Sequence, residues 1–359
     1  MKTFLRWGLV PLLLVAGAMT ASLVVSRPLF EEALRPESLA DIAIAPPEEA
    51  LSFARTRIDG QLHLLLVRDW QGGKLRGVDL NRRLASSTDS PLELYRQQGY
   101  DALLAVAQDP AAELLTVDAP ALETPLDAPE QNIGVGLNYR EHAEESTLDE
   151  QPFLFPKFAM PTRSDSDVPR GASTLLDYEA ELGLVLLRDA AAGTEPALGI
   201  VLANEMTDRW PLVRGLKRAE PMGTTGFADG KSRAGFAPIG PLLLVPRDAM
   251  AFYRKIRFQL YVNGRKRQDE QADAMLWDPR RIVTEVFARA AGPYDYHGGH
   301  VRLLRADTIP AGTILFSGTP AGVIFRPLNL WNPWVYLRPG DEVVIRADYL
   351  GVIRNRILP

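Results

Sequence analysis

The sequence predicts a mainly β fold, mixed β with few helices, divided between a small N-terminal domain and a larger C-terminal one. Three observations predict it. Beyond residue 131, short apolar runs dominate: LLDYEAELGLVLL, ALGIVLANEMT, GPLLLVP, IRFQLYVNG, GTILFSGTPAGVIF and DEVVIRADYLGVIRNRI. Gly, Pro and Asn-Gly punctuate them, as turns between strands require. In that region only residues 277–291 (WDPRRIVTEVFARAA) carry the spacing of a good helix. The length agrees, because 359 residues at about 150 per domain make two domains.

The first 27 residues differ from the rest. Residues 8–25 hold no charge, and about 18 apolar residues is the lower limit for a helix that spans a bilayer. Lys2 and Arg6 precede the run, which puts the N-terminus in the cytoplasm and the following domain outside. Two readings stand: a membrane anchor, or a cleaved signal peptide with Ala16-Gly17-Ala18 as a small-x-small site and a secreted product. Without residues 1–27, which hold Lys2, Arg6 and Arg27 and no acids, 37 bases face 45 acids, a net −8. That charge disfavours docking on anionic lipid.

Residues 28–50 hold four Pro and no clear apolar period, which reads as a linker or stalk. From residue 51, LSFARTRI, HLLLVRDW and KLRGVDL are short runs broken by Asp-Gly and Gly-Gly, a small antiparallel sheet with hairpin turns. SPLELYRQQGYDALLAVAQ follows with helical spacing and Ser90 at its N-cap. Residues 119–131 are Pro-rich and patternless. The expected units are therefore a β-rich domain over 51–128 and a larger domain over 129–359.

Composition narrows the chemistry. Forty Lys and Arg against 45 Asp and Glu, a net −5, argue against a nucleic-acid partner, which wants a basic face. No Cys is present, so disulfides, thiolate zinc sites and Cys nucleophiles are excluded. Four His leave few options for imidazole chemistry. Of these, His297 and His300 sit in a Gly-rich stretch that reads as an exposed loop, a lid or an adventitious metal site.

The carboxylates are the sharpest feature. In DYEAELGLV, strand alternation puts Glu179 and Glu181 on one face of a run that turns apolar on both faces after them. Two carboxylates there repel each other and lose hydration. They are either a solvent-facing pair near a strand end or ligands of a hard divalent cation. Glu205 ends another apolar run, ALGIVLANE, where it can meet the first pair. Three oxygen ligands plus waters fit Mg2+ or Mn2+ better than zinc. In NYREHAEE, a helical segment would place His142 and Glu145 at i and i+3 on one face. Their pairing is either a charged helix start or a general base with a carboxylate that fixes its tautomer.

Seven segments together resemble the fumarylacetoacetate hydrolase family: GVGLNYREHAEE (134–145), DYEAELGLV (177–185), NEMTDR (204–209), KSRAGFAPIGP (231–241), YVNGRKRQ (261–268), FSGTPAGV (316–323) and LRPGDEVVIRADYLGVIRNRI (337–357). They occur in the family's order across residues 131–359, and 51–128 looks like its variable N-terminal domain. The resemblance implies a catalytic β-roll of twisted sheets around a metal site, usually in a homodimer. It implies a small-molecule β-diketo or 2-oxo acid substrate, of acylpyruvate or fumarylacetoacetate type. The chemistry would be carbon–carbon hydrolysis, with isomerisation, decarboxylation or hydration as alternatives on the same fold.

By the same resemblance, Glu179, Glu181 and Glu205 would hold the metal, Mg2+ with Mn2+ or Ca2+ as alternatives. His142 and Glu145 would form the catalytic dyad, and Lys231 would stabilise developing charge. Arg209 and Thr319 would bind substrate. The chain also departs from the pattern. Glu205 stands where Asp is usual, Leu212 where Gln is usual, Ala234 where Asp is usual, and Ile324 where Gly is usual. Ser317-Gly318-Thr319-Pro320 replaces TGTP, and residues 293–305 and 325–336 are insertions. These changes surround the pocket and spare the acids and the dyad. A catalytically weak, membrane-tethered binding module on the same fold is the contrasting reading.

Overall fold

The Asp-Gly and Gly-Gly pairs make the turns expected of them. Ala50–Ile58 pairs antiparallel with Gln61–Gln71, and Gln61–Gln71 with Lys74–Asp79. Both residues of each turn hold positive φ (Asp59 51°, Gly60 81°, Gly72 58°, Gly73 73°). That backbone matches the twist of the flanking strands. Helices Pro91–Gln98 and Tyr100–Gln108 follow, divided at Gly99, and the Ser90 side chain accepts from the Glu93 N–H as the first cap. This computed structural model describes residues 2–26, 30–145 and 151–359, with only the backbone of residues 2–12, Val25 and Trp331.

The hairpins do not stand apart from the rest. Ala50–Ile58 also pairs with Leu243–Pro246, with Phe53 opposite Leu243. One sheet therefore runs Leu114–Asp118, Lys74–Asp79, Gln61–Gln71, Ala50–Ile58, Leu243–Pro246, Leu198–Asn204, Ala180–Leu186, Ile314–Phe316, Asn132–Gly136, Phe153–Lys157. Within it only Ile314–Phe316 and Asn132–Gly136 are parallel neighbours. Ala180–Leu186 and Leu198–Asn204 are buried along their whole length, as runs apolar on both faces must be. A second sheet orders Arg265–Gln271, Arg257–Val262, Glu342–Ala347, Gly351–Leu358 and Val168–Pro169. One apolar core joins the two sheets through residues such as Leu182, Ile200, Phe258 and Ile345. The helix expected over 277–291 spans Pro279–Ala288, and Asp278 caps it by accepting from the Arg281 N–H.

Two expectations for the N-terminal segment change. Residues 30–49 are not a free stalk. Leu34 N–H donates to Gly264 O, Lys266 N–H to Glu32 O and Ile42 N–H to Trp70 O, while Ile42 and Ala45 are buried. The four prolines break the period, yet the apolar residues between them find places against the body. Lys2–Val25 is one helix. Among the described residues no helix is long and apolar enough to cross a membrane, so the transmembrane anchor expected within residues 1–27 is not supported. Nor is the helix detached. The Ser22 and Ser26 hydroxyls donate to Asn329 Oδ1 at 2.9 and 3.1 Å, which ties its C-terminal end to the inserted segment 325–336.

Candidate active site

Ladder register brings the acids together. Ala180 lies opposite Asn204, so Glu179 and Glu205 meet one residue beyond that pair. Glu205 N–H donates to Glu179 O at 2.8 Å and locks the crossing. Glu181 projects to the same side from within its strand. One oxygen of each of the three carboxylates lies within 4.8 Å of the others, and all three residues are buried. Among the described residues this is the only such cluster of three or more His, Cys, Asp or Glu.

Cations are built in around them. Lys231 Nζ lies 2.5 Å from Glu179 Oε2, 2.7 Å from Glu205 Oε2 and 2.9 Å from Thr207 Oγ1. Arg209 donates Nε and Nη2 to Asp177 Oδ2 at 3.0 and 2.9 Å, and Nη2 to Glu179 Oε1 at 2.5 Å. Lys157, fully buried, donates to the carbonyls of Lys231 (2.7 Å) and Phe236 (3.2 Å) and stands 3.4 Å from Glu205 Oε1. Burial lowers the Lys157 ammonium below its ordinary value. Burial alone would raise Glu179, but Lys231 and Arg209 outweigh it and pull the carboxyl down to about 2. Burial raises Glu181 well above the usual carboxylate range, and the charges of Glu205 and Glu179 add to the shift.

The residues present fit a divalent cation. Four acids (Asp177, Glu179, Glu181, Glu205) meet three basic side chains (Lys157, Lys231, Arg209) in this buried site, and the raised Glu181 is the carboxyl that a cation would hold ionised. Glu181 Oε1 is a buried oxygen with no hydrogen-bond partner, and Glu205 Oε1 has only the Lys157 ammonium 3.4 Å away. Buried acceptors are almost always satisfied, so these under-partnered carboxylate oxygens suit a hard cation.

His142 and Glu145 lie near one another on one helix, at the i, i+3 spacing. Helix Arg140–Glu145 carries both residues, and His142 Nδ1 lies 3.9 Å from Glu145 Oε2. Glu145 also accepts from Gly322 N–H at 2.9 Å and pairs with Arg326. Burial opposes its charge, but hydrogen bonding to His142 and Gly322 and the Arg326 guanidinium together hold it below the usual carboxylate range. Arg326 belongs to the segment 325–336, so that segment holds the Glu145 carboxylate.

Thr319 sits in the turn that follows strand Ile314–Phe316. Its hydroxyl donates to Ala180 O at 3.0 Å and accepts from Gln268 Nε2 at 2.8 Å. Gly318 holds φ 85°, and a Cβ there would meet the Val135 carbonyl at 3.0 Å. That backbone lets the Gly318 N–H reach Glu181 Oε2 at 2.9 Å. Asp177 links this side to the insertion, since it accepts from the Ile324 and Phe325 N–H groups as well as from Arg209.

His142, Glu179, Arg209, Lys231 and Thr319 all line one cavity of about 350 Å³. Glu145, Glu181 and Glu205 are not among its lining residues. Lys157, Asp177, Gln268 and Arg326 escaped the sequence reading. Lys157 left a signal, a cation at the end of the apolar run FLFPK. Arg326 left none, because its partner is 181 positions away. His297 and His300 lie on an exposed hairpin, Pro293–Tyr296 with Gly299–Arg302, where His300 Nδ1 pairs with Asp295 at 2.9 Å.

A sequence model described as fumarylacetoacetate (FAA) hydrolase C-terminal matches residues 131–358. The chain belongs to that family. Among its relatives, oxaloacetate tautomerase YisK of Bacillus subtilis is 27% identical over 250 residues, covering 66% of this chain and 72% of that one. Mitochondrial oxaloacetate tautomerase FAHD2A of Bos taurus is 27% identical over 245 residues, covering 65% and 68%. A fumarylacetoacetate hydrolase structure from Exiguobacterium antarcticum superposes with a TM-score of 0.62 at 25% identity, covering 86% of this chain and 99% of that one. The family's mixed β fold is the fold of this chain.

Proposed function

We propose that this family member is a divalent-metal-dependent enzyme that hydrolyses a carbon–carbon bond in a β-diketo acid of acylpyruvate type. The observation that carries the reading is that the His142 imidazole, backed by Glu145, lines the same cavity as Glu179 and Lys231. Tautomerisation needs only proton movement next to a carbonyl. Hydrolysis also needs a base for water, and the dyad supplies one.

Glu179, Glu181 and Glu205 would hold the metal. When bound, it supplies Lewis-acid polarisation of a chelated carbonyl. His142 takes a proton from water, whose oxygen bonds to the distal acyl carbon. The bond between that carbon and the pyruvate methylene breaks, and its electron pair leaves with the pyruvate fragment as an enolate. The Lys231 ammonium counters that charge. His142 returns the proton, and the products are a carboxylic acid and pyruvate. The turn carrying Thr319 and the guanidinium of Arg209 border the place of the substrate carboxylate.

The relatives named oxaloacetate tautomerases support a second reading, keto–enol exchange of a 2-oxo acid. One experiment separates the two. The full chain with Mg2+ is offered acetylpyruvate and enol-oxaloacetate, with pyruvate release and loss of enol absorbance as readouts. Pyruvate release from acetylpyruvate supports hydrolysis, whereas exchange of oxaloacetate with acetylpyruvate left intact favours the second reading. For location we infer export, resting on the charge and apolar run of residues 1–27. Fractionation of cells into cytoplasm, periplasm and membranes tests it. A homodimer is the expected assembly, and light scattering on the purified chain tests that.

A further inference from the structure

The cavity has two unlike halves. One holds the charged groups of the chemistry. The other is apolar, with Leu137, Phe153, Leu212 and Phe227 packed with Phe155 into a cluster separate from the main core. Phe153 and Phe227 meet edge to face at 4.7 Å between centroids. Leu212, where the family pattern has Gln, is buried in this wall. Phe325, Pro327 and Leu330 of the insertion line the cavity as well. Leu212 and the segment 325–330 therefore both add apolar surface to the cavity.

A distal carboxylate would find one cation beyond the chemical end, Arg218, which is exposed. An exposed ion pair gives at most about a fivefold gain in binding. Each methylene buried on the apolar wall gives about fourfold, so a tail of a few carbons outweighs it. A cavity of about 350 Å³ also exceeds the needs of a four-carbon diacid.

We propose that the acyl side of the substrate is an uncharged apolar group longer than acetyl, alkyl or aryl, seated against Leu212, Phe153 and Phe227. This rests on the acylpyruvate reading above for the charged end. The test compares acetyl-, butanoyl-, hexanoyl- and fumarylpyruvate as substrates of the full chain with Mg2+. The expected result is that kcat/KM rises about fourfold per methylene, mainly through KM, and that hexanoylpyruvate exceeds fumarylpyruvate. Leu212→Gln should flatten this rise. Leu216→Glu is a second variant at an exposed lining position, where folding is not at stake, and it should flatten the rise too. A flat series, or fumarylpyruvate as the best substrate, overturns the proposal. If no acylpyruvate is turned over, the hydrolase reading fails. Calorimetry with 2-oxobutanoate, 2-oxohexanoate and 2-oxooctanoate plus Mg2+ then decides the apolar tail alone. Tighter binding with length supports it, and constant or weaker binding overturns it.

Discussion

Lys231 Nζ lies between Glu179 and Glu205, 2.5 and 2.7 Å from their carboxylate oxygens. The two acids come from neighbouring strand ends, and the lysine closes helix Phe227–Lys231. In a buried site, removing one member of such a pair leaves charge without compensation, at a cost of about 3–5 kcal/mol. Lys231→Met should therefore lower the unfolding free energy by about that amount in chelator. Added Mg2+ should restore part of the loss, because a cation among the acids replaces the missing ammonium. Denaturant unfolding with and without Mg2+ checks this, and equal losses in both conditions would count against a cation site here.

Glu181 offers a cleaner test of the metal. Its Oε2 accepts from Gly318 N–H, while its Oε1 has no partner. Glu181→Gln keeps an acceptor for Gly318 and removes the charge a metal would use. Mg2+ or Mn2+ affinity should fall by about 10–100-fold with the fold intact. Titration calorimetry and a thermal melt on the same sample read both halves of this expectation.

His142→Ala should leave metal affinity nearly unchanged, because the proposed ligands are all carboxylates. Acylpyruvate hydrolysis should lose about 10²–10⁴ in kcat, the usual range for a general acid–base group. Glu145→Gln should do less damage, since an acceptor remains beside the ring. A His142→Ala enzyme that releases pyruvate at nearly the parent rate would remove the dyad from the mechanism.

Arg326 acts on that dyad from a distance in sequence. Glu145 is held below its ordinary range, so it stays ionised as pH falls until that lowered value is reached. The stability from its charged contacts is therefore fully present above the ordinary carboxylate value and is lost as pH falls through the lowered one. Arg326→Leu removes one of the groups that lower it. The acid-side loss of stability should then begin at higher pH, with little change near neutrality. Denaturant unfolding of the two proteins across a pH series shows whether the loss moves in that direction.

Much of this molecule is legible in local pattern. Alternation in DYEAELGLV places Glu179 and Glu181 on one side, and the i, i+3 spacing in EHAEE pairs His142 with Glu145. The turn residues Asp59-Gly60 and Gly72-Gly73 mark hairpins that the structure contains. These signals survive because each depends on a period of two or 3.6 residues, or on one backbone conformation. The N-terminal segment misled for the same reason. Four prolines erase any period in residues 28–50, yet Ile42 and Ala45 still pack.

What the sequence determined by itself is therefore the set of elements and the chemistry each can present: strands, a capped helix, a carboxylate pair and a dyad. Only the tertiary structure decided how those groups meet. Lys157 reaches Glu205 across 48 positions, Asp177 gathers Arg209 and the backbone of 324–325, and Arg326 closes on Glu145. The apolar wall that Leu212 shares with Phe153 and Phe227 is likewise assembled from three distant segments. Periodicity reaches no further than one element. The balance of charge and the shape of the cavity are set by the packing of many elements, where each buried cation and each missing partner has its energetic consequence.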